Sequence, residues 1–202
     1  MIYRINPQNP QKRLIAKAVD ILKIGGVIAY PTDTIYGFGC DILNKKAIQR
    51  IYQIKKRDRS KPFSFICSDL KNISEYAQVT DYAYKTMKRL LPGPYTFILP
   101  GTKLVPKIML TKRKTVGIRV PNNNICLAIV EALGHPIIST SIGWSGREVL
   151  SDPQQIEETF GSQIELTIDG GILPNLPSSI ISLLDDLPEV IRAGQGEVSQ
   201  FL

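Results

Sequence analysis

Apolar and polar positions along this chain switch repeatedly between a period of two and a period near 3.6, which predicts strands and helices in alternation. Residues 1–5 alternate and read as a short strand. Leu14, Ile15, Ala18, Ile21 and Leu22 then recur at helical spacing, with Lys12, Arg13, Lys17 and Lys23 mostly between them. Asn9 offers that helix a cap, Pro10 a first-turn residue, and Gly25-Gly26 a stop. Residues 27–30 form a continuous apolar strand ending at Pro31. Asn44 is placed to cap a second helix that buries Ala47, Ile48, Ile51, Tyr52 and Ile54.

Further on, residues 63–67 predict a strand and 68–77 and 81–91 predict helices, the latter turning Tyr84, Met87, Leu90 and Leu91 inward. Pro92-Gly93-Pro94 breaks the chain before a strand at 95–99, and residues 106–110 read as a short helix or turn. Residues 115–120 alternate and stop at Pro121. An apolar helix over 125–133 ends at Gly134, and a strand from Pro136 runs into Ser139-Thr140-Ser141. Asp152-Pro153 opens a helix through Phe160, and a strand over 164–168 is closed by Asp169-Gly170-Gly171. Two late strands, 178–183 and 189–192, flank the acidic turn Asp185-Asp186, and a short tail, 194–202, follows. With no repeat or linker, this alternation predicts one α/β domain over residues 1–202, with a curved mixed β-sheet flanked by helices and an open cleft.

Composition narrows the partners. The net charge is +7, which favours anionic ligands such as nucleotides or RNA. The eight residues 55–62 hold five cations and one anion, and Lys112-Arg113-Lys114 form a second cluster. A charge run taken alone is usually a solvated face. The scattered Cys40, Cys67 and Cys126 predict reduced thiols in a cytoplasmic setting, and none stands out as a nucleophile. A single histidine, His135, excludes a His-rich metal site, and no metal site is expected. No secretion-signal pattern opens the chain, and no stretch approaches the roughly 20 apolar residues of a membrane span. No GxxxxGK[ST] occurs, which excludes a P-loop, and Gly37-Phe38-Gly39 is only half of a dinucleotide fingerprint, read as a turn at a strand end. Ligands in α/β sheets collect at strand ends, where Thr34, Arg119, Ser139, Ser141 and Arg192 are predicted to share one cleft. Arg119, in an otherwise apolar strand, must find an anion or reach solvent.

These residues fall into an ordered set: Pro31-Thr32-Asp33-Thr34-Ile35-Tyr36-Gly37 with Gly39, Lys55-x-Arg57 with Lys61-Pro62, Pro92-Gly93-Pro94-Tyr95-Thr96, Gly117-Ile118-Arg119-Val120-Pro121-Asn122, Ser139-Thr140-Ser141 with Ser145-Gly146, Asp169-Gly170-Gly171, and Ile191-Arg192-x-Gly194. Taken together they resemble the YrdC-like family over nearly the whole chain, its YciO branch in particular. The resemblance implies a threonylcarbamoyl-AMP synthase, which joins L-threonine, bicarbonate and ATP with release of pyrophosphate for the threonylcarbamoyladenosine modification of tRNA. It implies that Thr34, Arg119, Ser139 and Ser178 hold the threonine. It places Lys55, Arg57, Lys61, Thr115, Ser141 and Arg192 around the nucleotide, with Lys55 and Arg57 as electrostatic stabilisers and Mg2+ carried by the ATP oxygens. A bidentate guanidinium at Arg119 suits a carboxylate. The family's Ser-x-Asn pattern reads Ser141-Ile142-Gly143 here, and its Glu-Ser-Thr pattern reads Pro177-Ser178-Ser179. Two other readings stand beside this one: an RNA-binding or ribosome-associated module that uses the basic clusters, and an adenylating enzyme for another small amine, for which Gly143 enlarges the site.

Overall fold

The structure, a computed structural model, describes residues 1–58, 61–146 and 148–201; Arg59 and Ser60 of the cationic stretch, with Arg147 and the tail residue Leu202, lie outside the described residues. Ten strands are described: β1 (Ile2–Arg4), β2 (Ile28–Tyr30), β3 (Gly37–Gly39), β4 (Ser64–Ile66), β5 (Tyr95–Pro100), β6 (Thr115–Arg119), β7 (Ile137–Ser141), β8 (Leu166–Asp169), β9 (Ser179–Ser182) and β10 (Glu189–Arg192). They form one mixed sheet in the order β1-β8-β2-β3-β7-β4-β6-β5-β9-β10. The helices are α1 (Lys12–Lys23), α2 (Lys45–Lys55), α3 (Leu70–Tyr76), α4 (Asp81–Leu90), α5 (Asn124–Leu133) and α6 (Pro153–Phe160), with a 3-10 turn at Lys107–Met109.

Most elements begin and end where local chemistry requires. Asn44 accepts the Ala47 amide at the start of α2, Asn123 accepts that of Cys126 at α5, and Asp152 accepts that of Gln154 at α6. Gly134, at φ 86°, ends α5 in the left-handed conformation that costs glycine nothing. The start of α1 differs from expectation. Asn9 does not cap it; Gln11 holds the cap position without a side-chain bond to the helix, its Oε1 accepting the Asn6 amide, and Asn6 takes the Gln8 and Asn9 amides instead. Tyr84 on α4 also faces outward, 45% exposed, with the Lys88 ammonium over its ring.

Period-two alternation divides the strand side chains between two cores. One face carries Phe38, Phe65, Phe97, Val116, Ile118 and Ile181 against α2, α3, α4 and α6. The other carries Ile28, Tyr30, Ile66, Ile137, Leu166 and Ile168 against α1 and α5. That second cover reaches only part of the sheet. Past Ile66 and Ile137 the same face continues as Ser64, Ser139 and Ser141, then Gly117 and Arg119, then Thr96 and Ile180. Small and hydroxylated residues stand there in place of a third apolar layer, and they floor the cleft.

Gly37-Phe38-Gly39 is not the expected turn but strand β3, between β2 and β7. The reason lies in Tyr30. Its fully buried ring crosses β3 and its hydroxyl donates to the Ile138 carbonyl at 3.0 Å. A Cβ at Gly39 would stand 2.7 Å from Tyr30 Cε1, and one at Gly37 would stand 3.2 Å from Cζ. The glycines make room for that ring. Gly39→Ala is therefore expected to lose about 1–3 kcal/mol of stability by overpacking, read as a lower urea midpoint; an unchanged midpoint would mean that the ring moves freely.

Candidate functional site

The loop between β2 and β3 is built on hydroxyl bonds. Thr32 Oγ1 donates to the Ile35 carbonyl at 2.6 Å, accepts the Thr34 and Ile35 amides, and lies 3.1 Å from Thr34 Oγ1. Asn123, just before α5, donates to the Thr32 carbonyl at 3.2 Å and ties the loop to that helix. Arg119 leaves the end of β6 and reaches this loop. Its Nη2 donates to Asp33 Oδ1 at 2.8 Å and to Thr34 Oγ1 at 3.0 Å. The ion pair is buried, with side chains only 6% and 9% exposed. Arg119 Nε is also buried, yet finds no acceptor. Buried donors are rarely left unmade, so this one marks a place where a ligand can add a bond.

A cavity of about 260 Å³ opens on the bare part of the sheet, and Arg57, Arg119, Ser139, Ser141, Ser178 and Arg192 all line it. Six of the sequence-predicted site residues thus meet in one place. Thr34 joins them through its bond to Arg119. Ser178 sits 2.8 Å from Thr96 Oγ1, and its carbonyl accepts both Nε and Nη2 of Arg192, at 3.1 and 2.6 Å. Ser64, Thr96 and Asp33 belong to this arrangement although sequence reasoning did not assign them. The period-two pattern was the signal for Ser64 and Thr96, since it puts them on the face of Arg119.

Other predicted residues stand elsewhere. Lys61 is exposed, and its carbonyl accepts Arg57 Nε at 3.0 Å. Thr115 lies on the same sheet face but outside the cavity lining, with its hydroxyl 2.7 Å from that of Thr111. Lys55, the last residue of α2, is 2% exposed and does not line the cavity. Its ammonium donates to the Ser141 carbonyl and, at 2.8 Å, to that of Gly143. The Lys55 carbonyl accepts the Ser145 amide at 3.0 Å, so both ends of this residue clamp the chain that follows β7.

Position 143 also departs from expectation. A side chain there does not leave open room when it is absent. The Glu148 carbonyl fills the space, 2.6 Å from where a Cβ would stand, and φ is 143°. The glycine lets the Glu148 carbonyl approach it closely, and the adjacent Val149 lines the cavity.

The site is electrostatically loaded. Burial, reinforced by nearby Arg57, lowers the Lys55 ammonium from its ordinary 10.5 to about 8. Burial lowers Arg57 as well, and Arg192 is lowered by burial and by Arg119, though the residue as a whole is exposed. These cations repel one another, and an anion between them would relieve the strain. Arg57 rests 5.4 Å over the Phe63 ring, which is stacked on Tyr52 at 4.1 Å. Burial pushes the thiols of Cys40, Cys67 and Cys126 up, which fits packing and not nucleophilic chemistry. Among the described residues no cluster of three His, Cys, Asp or Glu side chains is able to hold a metal ion, and no helix is long and apolar enough to cross a membrane.

The site is therefore one half-bare face of a mixed α/β sheet, floored by hydroxyls and ringed by arginines. The Sua5/YciO/YrdC family model, described as telomere recombination, matches residues 20–194, and the chain belongs to this family. It is 47% identical to YciO of Escherichia coli K12 over 202 residues, covering 99% of this chain and 98% of that protein. The E. coli YciO crystal structure superposes with a TM-score of 0.95 over 100% of this chain and 99% of the other. A threonylcarbamoyl-AMP synthase of Vibrio vulnificus YJ016 is 32% identical over 161 residues, covering 78% of this chain and 87% of that protein. Sua5 of P. abyssi, crystallised with L-threonine, is 28% identical and superposes with a TM-score of 0.93 over 99% of this chain and 59% of that chain.

Proposed function

We propose that this protein is a nucleotidyltransferase that forms threonylcarbamoyl-adenylate from L-threonine, bicarbonate and ATP, with release of pyrophosphate. The observation that carries this reading is Arg119, a buried guanidinium with an unmet Nε–H that is bonded to the Thr34 hydroxyl and shares one cavity with Ser139, Ser178, Arg57 and Arg192. An amino-acid carboxylate satisfies that donor, and the hydroxyls take the amine and the side-chain hydroxyl. The threonine amine joins the bicarbonate carbon with loss of water. The resulting carbamate oxygen forms a bond to the α-phosphorus of ATP as the bond to the bridging oxygen breaks. Arg57 and Arg192, with Lys61 at the rim, offset the charge that grows on the pyrophosphate, so catalysis is positioning and electrostatic stabilisation. The cavity's side chains do not make a cage for Mg2+, which would arrive on the ATP oxygens.

The test is product analysis by mass spectrometry with threonine, bicarbonate, magnesium and ATP. Threonylcarbamoyl-adenylate is expected from the wild type, together with at least about a 10²-fold loss in Ser139→Ala if that hydroxyl acts in the transition state. No product above the no-enzyme control would end this reading.

A second reading has its own observation. No acidic residue occurs between Asp81 and Glu131. Lys103, Lys107 and Lys114 from that stretch line a separate hollow with Glu75 at its edge, and among the described residues none of the three lysines makes an ion pair. RNA docking there would weaken with salt at a log–log slope of about −0.7 per neutralised phosphate, and a flat dependence would remove it.

A further inference from the structure

We propose that Asp33 is a positioning residue that aims the Arg119 guanidinium at the bound amino acid, an inference that rests on the amino-acid site proposed above. The guanidinium is planar and its five N–H directions are fixed relative to one another. Pinning one nitrogen with two acceptors therefore orients the rest. Arg119 Nη2 is pinned in this way, with its two hydrogens committed to Asp33 Oδ1 at 2.8 Å and Thr34 Oγ1 at 3.0 Å. The Nε–H lies on the same side of the guanidinium as Nη2, and it is the donor left buried without an acceptor. A carboxylate ligand then bonds the donors that Asp33 and Thr34 leave free, and it adds to Nη2 only by sharing it with Asp33 or Thr34.

Asp33 and its neighbour Thr32 are held from three directions. The second oxygen of Asp33, Oδ2, accepts the Asn122 amide at 3.0 Å, beyond the end of β6. Its backbone carbonyl accepts Gln195 Nε2 at 3.3 Å, from the tail after β10. The neighbouring Thr32 is tied to Asn123 at the start of α5. The acid thus reports the position of β6, α5 and the tail to a single guanidinium. A surface carboxylate paired with an arginine has no need of such anchoring; the anchors give the pair a fixed direction.

Asp33→Asn tests the idea, because the amide keeps the shape and one acceptor while it removes the charge. The Arg119 Nε–H resonance, assigned with Arg119→Lys, is expected as a sharp, slowly exchanging signal in the wild type and as a broadened or lost one in Asp33→Asn. Threonine affinity by calorimetry is expected to fall about tenfold, the equivalent of about 1.4 kcal/mol, with ATP affinity unchanged. Asp33→Glu, which restores the charge, is expected to recover part of the threonine affinity. An unchanged Nε–H signal in Asp33→Asn would overturn the proposal. So would an equal loss of threonine and ATP affinity with a fall in Tm, which is what a merely structural role predicts. If the wild type binds no threonine while the Nε–H signal still depends on Asp33, the proposed substrate fails and the positioning role stands.

Discussion

Arg119→Ala is expected to abolish threonine-dependent adenylate formation and to lower the unfolding free energy by about 3–5 kcal/mol. The two losses have different origins. Activity goes because the guanidinium bonded to the Thr34 hydroxyl goes with it. Stability goes because Asp33, whose side chain is 9% exposed, remains in the protein without its counter-charge. Breaking one side of a largely buried pair costs far more than the pair is worth intact, since an ion is left where water reaches it poorly. The double variant Arg119→Ala/Asp33→Ala separates the effects. It is expected to recover much of the stability, measured by urea unfolding, and none of the product, measured by mass spectrometry. A single variant as stable as the wild type would show that water enters the pair freely, and a double variant that regains activity would remove Arg119 from the amino-acid site.

The sequence exposed this site unevenly, and the physics explains where. Hydroxyls and arginines at predicted strand ends were legible because strand period and register place them: Ser139 and Ser141 share a face with Ile137, and Arg119 stands opposite Ile66. Helix starts at α2 and α6 were legible because Asn44 and Asp152 make local bonds. The α/β class followed from the same alternation, and the mixed ten-strand sheet agrees with it. What remained hidden depends on residues far apart in the chain. The strand at Gly37–Gly39 carries no apolar period at its two glycines, and its cause is a tyrosine ring laid across it from the neighbouring strand. Asp33 looked like any loop acid, since nothing near it in sequence reveals an arginine 86 residues later. Gly143 suggested open space, but space depends on what else fills it, and here it is the Glu148 carbonyl. Lys55 sits in a cationic stretch that suggested phosphate contact, yet its helix-end position turns the side chain inward.

That inward turn leads to the other large expected effect. Lys55→Met is expected to erase one component of the pH dependence of folding and to cut adenylate formation about 10²-fold, the scale of a small misplacement of reacting groups. The folded ammonium titrates at about 8, against 10.5 for the ordinary group. Below about pH 8 it is charged in both states, and folding bears the full cost of burying it. Between about 8 and 10.5 the unfolded chain holds a proton that the folded chain has lost, so stability rises with pH there. The whole relief is about 3 kcal/mol, of which about 2 falls between about pH 7 and 9.5. Buried Tyr30 and the three buried thiols oppose this trend, because burial raises them and unfolding lets them ionise. The quantity to measure is therefore the wild-type unfolding free energy minus that of Lys55→Met, in urea, across that range. It should climb with pH, while at neutral pH the two proteins stay close: methionine relieves the buried charge but leaves the Ser141 and Gly143 carbonyls without their donor. A flat difference would mean that the ammonium keeps its ordinary pKa and reaches solvent, and then it would be free to meet the nucleotide after all.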